Sequence, residues 1–242
     1  MGLGEKLKQF IRKVFFNPKW RCSWCGKEIF EDGYFCSVCE SKLPFIDENY
    51  CEHCGRQLFS KSAYCSTCKE NLTEISYMRS AFNYGKPINT LIKKMKYENG
   101  RYVADLLTEY LFLAYQRYGL SADLLAFVPM TEKAKQKRGF NQSELLCRGL
   151  ALKTEINVFE GLTKIRETQR QAKLNRKERI TNLSKAFRVH DKKNIKDKTV
   201  LIIDDVSTTG STMKVLSEKL LKAGAKSVGV LTVASVPPKN GY

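Results

Sequence analysis

The stretch VLIIDDVSTTGSTM, Val200–Met213, decides how the chain is read. Four apolar residues run into two adjacent carboxylates, Asp204 and Asp205. Of the six residues Ser207–Thr212, five carry hydroxyls and the sixth is Gly210. The apolar run, with Thr199 before it, reads as the buried strand TVLIID, with the acids at its carboxyl end. STMKVLSEKLLKAG, from Ser211, reads as the next helix. In an open α/β sheet, ligands bind beyond the carboxyl ends of the strands. The turn between this strand and helix offers backbone N–H groups, hydroxyl donors and the positive end of a helix dipole. Gly210 lets the backbone approach a ligand closely. Ser207, Thr208, Thr209, Gly210, Ser211 and Thr212 therefore read as a phosphate cradle. Asp204 and Asp205 would repel a phosphate, but they suit the hydroxyls of a sugar, or Mg²⁺ reached through water. Phosphate beside polyol describes a ribose 5-phosphate. A helix cap beside a chance acid pair explains one or two hydroxyls but not the whole run. The other familiar phosphate loops, G-x-x-x-x-G-K-[ST] and a strand-linked G-x-G-x-x-G, are absent.

On either side of this stretch the pattern alternates. SYMRSAFNY reads as a strand, and PINTLIKKMKYENG as a helix opened by Pro87 and closed by Gly100. A longer helix, RYVADLLTEYLFLAYQRYG, ends at Gly119; DLLAFVPM is a short buried strand, NQSELLCRGLALKT a helix and SVGVLTVA a final strand. Strands with nearly continuous apolar runs, alternating with helices, indicate an α/β fold: a parallel sheet covered on both faces. Cys147, on an apolar helical face, reads as a small core residue and not a nucleophile. Residues 163–198 break the rhythm, with thirteen Lys or Arg against four Asp or Glu, and read as a mostly exposed loop or helix.

Eight of the nine cysteines fall in four C-x-x-C pairs: Cys22/Cys25, Cys36/Cys39, Cys51/Cys54 and Cys65/Cys68. Every cysteine of the first half recurs 29 residues later, and the neighbours repeat as well (CSWCG with CEHCG, YFCSVCE with AYCSTCK). Two thiolates spaced by two residues grip one face of a tetrahedral ion, and a second such turn supplies the other face. Gly26 and Gly55 suit the positive φ of such turns. The module reads as two Cys₄ zinc ribbons. Sequential pairing, one zinc per repeat, is adopted here, though a crossed pairing fits the same spacing. A disulfide framework requires an oxidising compartment, and no export signal is visible. Full Cys₄ sets leave no open coordination position, so the sites are expected to be structural, with His53 a surface residue. Roughly fifty polar residues bury little core, so metal binding has to drive their folding.

The 242 residues suit a medium domain plus a small one: a basic amphipathic helix at 1–17, a double ribbon at 18–73 and the α/β domain at 74–242. Leu3, Leu7, Phe10 and Val14 lie at helical spacing in the first segment. That helix touches a membrane surface or nucleic acid, or it packs on the zinc module. No apolar run is long enough to span a membrane and no signal peptide is recognised, so a cytoplasmic location is expected. The formal net charge is +17. Eight thiolates (−8) and two Zn²⁺ (+4) would lower it to about +13. An acidic partner is expected, either nucleic acid or a phosphorylated small molecule.

The strand, acid pair and hydroxyl-rich turn resemble the type I phosphoribosyltransferase fingerprint, which binds the ribose and 5-phosphate of phosphoribosyl pyrophosphate. With VPMTEKAKQKRGFNQSELL (Val128–Leu146), RETQRQAKLNRKERITNLSKAF (Arg166–Phe187) and the duplicated cysteines, about residues 20–235 are similar to the ComF/ComFC (GntX-like) competence-protein family, RGFNQ at Arg138–Gln142 being its distinctive string. The resemblance implies a phosphoribosyltransferase-like domain working in DNA uptake during natural transformation, on or near single-stranded DNA and beside a helicase partner. It also places a pyrophosphate-gripping loop at Pro129, Met130 and Thr131, followed by Lys133, Lys135, Lys137 and Arg138. Solvated basic residues account equally for at least two of those four. Arg166, Gln169, Arg176 and Arg179 form a mobile cover or a nucleic-acid track, and Lys93, Lys94 and Lys96 resemble a basic segment near the same site.

Catalysis remains open at this level. Asp204, Asp205 and Arg138 are the candidates, but His53 and His190, the only histidines, lie outside the motifs, so no general base is evident. An active transferase of base metabolism would release pyrophosphate while Mg²⁺ and cations neutralise charge. A binding module would instead use the ribbons and residues 163–198 on single-stranded DNA, with Tyr34, Phe35, Phe59 and Tyr64 stacking on bases or filling core.

Overall fold

A computed structural model describes residues 21–30, 33–97, 101–167 and 181–237. The expected N-terminal helix, Gln169, Arg176 and Arg179 lie outside the described residues. The chain divides into two compact units, Met1–Leu43 and Pro44–Tyr242. That division falls between the cysteine repeats and not near residue 74, because the second repeat packs into the larger unit. Cys51, Cys54, Leu58, Cys65 and Cys68 share one buried cluster with Ile75, Met78 and Met213.

Each repeat is built alike. In the smaller unit, Cys22 N donates to Lys27 O at 2.7 Å and Gly26 N to Cys22 O at 2.9 Å. A single helical turn, α1 (Ser37–Glu40), starts directly after Cys36. In the larger unit, Cys51 N donates to Arg56 O and Gly55 N to Cys51 O, both at 2.8 Å, and α2 (Ser66–Glu70) starts directly after Cys65. Gly26 and Gly55 have φ of 74° and 67°, the left-handed region expected for them. Their surroundings differ. A Cβ on Gly26 meets nothing within 4 Å, whereas one on Gly55 would lie 2.2 Å from the Met78 carbonyl oxygen. Gly55→Ala therefore destabilises the larger unit by more than about 2 kcal/mol, strain plus clash, while Gly26→Ala costs about 1–2 kcal/mol of conformational strain alone. Thermal melts of the two variants check this, and equal shifts would contradict it.

The larger unit carries a five-stranded parallel sheet in the order β1 (Tyr77–Asn83), β7 (Ser227–Ser235), β6 (Thr199–Ser207), β2 (Leu124–Phe127), β3 (Val158–Phe159). β6 and β7 are central and apolar because both their faces are covered; Val200–Ile203, Val230, Leu231 and Val233 are all fully buried. Helices α3 (Ile88–Tyr97), α4 (Arg101–Arg117), α6 (Gln142–Thr154) and α8 (Ser211–Lys222) form where apolar residues recur at helical spacing. α4 buries Val103, Leu106, Leu107, Tyr110, Leu111 and Ala114. α6 buries Leu146, Cys147 and Leu150, and burial pushes the Cys147 thiol up to about 12, so it is an inert core residue. Among the described residues, no helix is long and apolar enough to cross a membrane.

Four expectations change. β6 does not stop at Asp204 but pairs with β7 through Ser207, so the acid pair lies inside the strand. The basic stretch after Thr131 is a short helix, α5 (Glu132–Arg138), whose first turn is capped by the Thr131 hydroxyl accepting from Ala134 N at 3.2 Å. The two ends of 163–198 are mostly exposed, as expected, but they form strands and a helical turn. β4 (Leu162–Lys164) and β5 (Phe187–Val189) form an antiparallel pair anchored by buried Leu162, Ala186 and Phe187, and a turn of helix, α7 (Lys192–Ile195), buries Ile195. His53 is half-buried, not a surface residue: its Nε2 hydrogen-bonds Thr73 Oγ1 at 2.9 Å. Of the four aromatics proposed to stack on bases, Phe35 is buried in its ribbon and Phe59 is exposed.

Candidate phosphate-loop site and zinc centres

The sulfurs of Cys22, Cys25, Cys36 and Cys39 lie within 4.8 Å of one another, as do those of Cys51, Cys54, Cys65 and Cys68. The pairing is therefore sequential, one Cys₄ set per repeat. A tetrahedral ion with Zn–S near 2.3 Å sets its ligands about 3.8 Å apart. The Cys25–Cys36 and Cys54–Cys65 sulfurs are 3.8 and 3.7 Å apart, so both sets fit zinc. Bound there, the ion would supply cross-linking and no chemistry, because all four positions are filled by protein.

The second site is created by topology. β2 leads through α6 to β3, and β6 leads the other way through α8 to β7, so the chain parts between the neighbours β2 and β6. At such a switch point a crevice opens beyond the carboxyl ends of the strands. Val128–Thr131 follows β2 there, and Thr208–Gly210 follows β6. Gly210, with φ 75°, caps α8 without a side-chain bond. Thr209 Oγ1 and Ser211 Oγ lie 2.9 Å apart. Among the described residues, the amides of Thr208, Thr209 and Gly210 reach no protein acceptor. In the first helical turn, Ser211 N donates to Thr209 Oγ1 at 3.4 Å, and the amides of Thr212 and Met213 have no acceptor within the helix by geometry. Such a turn attracts an anion.

The acids have different neighbours, as alternation along a strand requires. Asp205 is buried and ion-paired with Lys96 of α3. Asp204 accepts from Ser143 Oγ at 2.5 Å, at the start of α6. Burial, then the charge of Asp205, pushes the Asp204 carboxyl up to about 8 despite that bond. A raised carboxyl favours the folded state when neutral. Its penalty is absent below the ordinary value of 3.8, grows as pH rises and is complete above about 8. Asp204→Asn therefore raises the melting temperature more at pH 8 than at pH 5. Identical shifts at both pH values would contradict this.

The RGFNQ string serves mainly to hold the site in place. Asn141 caps α6 by accepting from Ser143 N at 3.1 Å, and its Nδ2 donates to the Val128 carbonyl at 3.0 Å. Arg138 donates to Gln142 Oε1 at 2.6 Å and lies over the Tyr97 ring at 5.5 Å. Lys135 pairs with Glu144 at 3.0 Å. Burial opposes it, but hydrogen bonds from Lys135 and Arg148 hold the Glu144 carboxyl below its ordinary range. Lys133 and Lys137 are exposed and without ion pairs among the described residues. Pro129, Met130 and Thr131 line a cavity of about 770 Å³ with Glu144, Lys164 and Arg166; neither the acids nor the Ser207–Thr212 turn borders it. Lys96, expected near the same site, is ion-paired with Asp205. Sequence reasoning missed Ser143, Asn141 and Arg56, whose guanidinium donates to the Thr208 carbonyl. The caps could have been read from N-Q-S before an apolar helix, but a contact spanning 152 residues has no local signal.

The parallel sheet, its switch-point crevice and the two Cys₄ sites define a phosphoribosyltransferase-type domain joined to a double zinc ribbon. Family models agree: a double zinc ribbon domain matches residues 11–69 and a phosphoribosyl transferase domain matches residues 145–240. The chain is 34% identical over 154 residues to DNA utilization protein YhgH of Escherichia coli (strain K12), covering 61% of this chain and 67% of that one. It is 30% identical over 220 residues to Competence protein F of Haemophilus influenzae, covering 88% and 89%. The chain belongs to the competence protein F family. A solved glutamine phosphoribosylpyrophosphate amidotransferase from B. subtilis is 22% identical, with a TM-score of 0.41 over 55% of this chain, which spans only 27% of that protein's length.

Proposed function

We propose that the larger unit binds phosphoribosyl pyrophosphate at the β6–α8 turn, and that the protein acts in the uptake or use of DNA through contact with single strands. The observation that carries the first part is the turn itself: three amides without protein acceptors, four hydroxyls and a helix N-terminus beside Asp204 and Asp205. In this reading the 5-phosphate sits on the turn and the acids hold the ribose hydroxyls. Mg²⁺, carried with the pyrophosphate, would supply countercharge and favour the ionised form of both carboxylates. Lys96 has to leave Asp205, or share it, when the ligand arrives. Calorimetry of phosphoribosyl pyrophosphate onto the zinc-loaded chain tests this: saturable one-site binding is expected, and its absence would defeat the site.

The DNA part rests on charge and on the relatives' names. At the sheet edge opposite the turn, Lys198 precedes β6 and Lys226 precedes β7, joined by Lys226 N donating to Lys198 O at 2.9 Å. Lys192, Lys193, Lys196 and Lys222 are also exposed there, and none of these six has an ion pair among the described residues. Phosphates of a single strand fit such an edge. With about five phosphate contacts, affinity for a short oligonucleotide falls about 100-fold between 50 and 200 mM salt. A flat salt response would remove DNA as a partner. The helicase partner that the family resemblance implies belongs to the same proposal.

The cavity beside Pro129–Thr131 favours a second reading, an active transferase, because it leaves room for an acceptor next to the expected pyrophosphate loop. Pyrophosphate released in the presence of candidate acceptors would establish it. Binding without release would leave the protein a sensor or carrier.

A further inference from the structure

The second zinc ribbon reaches the phosphate turn directly. Arg56 follows Gly55, which follows the metal ligand Cys54, and its guanidinium donates to the carbonyl oxygen of Thr208, the first residue of the turn. The knuckle that aims Arg56 is itself clamped to β1. Met78 N donates to His53 O at 2.7 Å, and Arg79 Nη1 donates to Glu52 O at 2.9 Å. Gly55 approaches the Met78 carbonyl so closely that no Cβ fits between them. The other side of Met78 faces the turn, its sulfur 3.8 Å from where a Cβ of Gly210 would lie. Metal knuckle, Met78 and phosphate turn thus form one continuous stack. In the first repeat the equivalent position is Lys27, which lacks the planar fork of arginine.

We infer that Arg56 is a positioning residue for the phosphate turn and that zinc at Cys51, Cys54, Cys65 and Cys68 governs anion affinity there. By engaging the Thr208 carbonyl, Arg56 turns that peptide's oxygen toward the ribbon and leaves the neighbouring amides for the ligand. The second ribbon is then part of the sugar-phosphate site, while the first, on its own compact unit, is not. This rests on the reading that the turn binds phosphoribosyl pyrophosphate. Because binding energies at linked sites are reciprocal, ligand on the turn must also hold the second zinc more tightly.

The test uses the full zinc-loaded chain with Arg56→Ala and Arg56→Lys. Arg56→Ala retains two zinc ions but binds phosphoribosyl pyrophosphate ~10–100-fold more weakly, the worth of one charge-assisted hydrogen bond. Without ligand, the amide resonances of Thr208–Gly210 in Arg56→Ala are shifted and broadened relative to the parent. In the parent, saturating ligand slows chelator removal of the second zinc and not of the first, the two phases being assigned with Cys22→Ser/Cys25→Ser. Arg56→Ala loses that protection and Arg56→Lys recovers part of it, an outcome that general loosening of the fold does not give. Unchanged affinity, amide resonances and zinc release in Arg56→Ala would overturn the inference. If the parent binds no phosphoribosyl pyrophosphate, the ligand reading fails by itself. The amide resonances of the unliganded proteins then decide whether Arg56 holds the turn.

Discussion

Asp204→Asn combined with Asp205→Asn abolishes saturable binding of phosphoribosyl pyrophosphate while two zinc ions remain bound per chain. Asparagine keeps the shape of each side chain, and the amide oxygen introduced by Asp204→Asn would still accept from Ser143, so β6 and its pairing with β7 survive. What disappears is charge. One hydrogen bond from a ribose hydroxyl to ion-paired Asp205 is worth about 1.5–3 kcal/mol and one to the largely neutral Asp204 about 0.5–1.5 kcal/mol, so affinity falls about 30- to 2,000-fold at pH 7. Lys96, paired with Asp205 in the parent and partly exposed, can turn its ammonium to water, so folding is spared. The pH argument sharpens the contrast, since Asp204→Asn is more stable than the parent at pH 8 and yet poorer at binding. Equal isotherms for parent and double variant would show that the acids do not hold the sugar.

The second large effect concerns the metals. Cys51→Ser with Cys54→Ser lowers the stability of the larger unit by about 3–5 kcal/mol, a fall of roughly 10 °C in its melting temperature. Cys22→Ser with Cys25→Ser leaves that transition within about 2 °C. The asymmetry follows from packing. Cys51, Cys54, Cys65 and Cys68 belong to the cluster that contains Met78, Val200, Ile202 and Met213, whereas the first Cys₄ set lies in the compact unit that ends at Leu43. A structural zinc contributes on the order of 10–16 kcal/mol to folding small peptides, and only a part of this is felt beyond the ribbon. Far-ultraviolet circular dichroism during heating reads the helices, nearly all of which belong to the larger unit among the described residues. Equal falls for both pairs of substitutions would contradict the division.

What the amino-acid sequence discloses depends on whether the signal is local. The four C-x-x-C pairs and their 29-residue period were legible because the ligands of one ion lie close in sequence, and only the pairing of the sets needed the fold. β6, α8 and the turn between them were legible because an apolar run, a glycine and a periodic helix mark themselves. The length of β6 was not, since Asp204 and Val206 are held in the strand by Thr232 and Ala234 of β7. β4 and β5 were hidden because each has three residues, with a lysine- and arginine-rich stretch between them that masks buried Leu162 and Phe187. Arg138 was legible as a cation, but its commitment to Gln142 and Tyr97 was not, because side-chain partners are settled by packing. Lys96 is legible as a cation near the site, but its ion pair with Asp205 is not. Arg56, whose bond joins ribbon to turn, lies 152 residues from its acceptor.

The most direct measurement of the central claim is a backbone-amide nuclear magnetic resonance titration of the zinc-loaded chain with phosphoribosyl pyrophosphate and Mg²⁺. The account predicts that the largest shifts fall on the amides of Thr208–Met213, with smaller ones at Asp204, Asp205 and Arg56. Shifts confined to other parts of the chain, or none at saturating ligand, would contradict it.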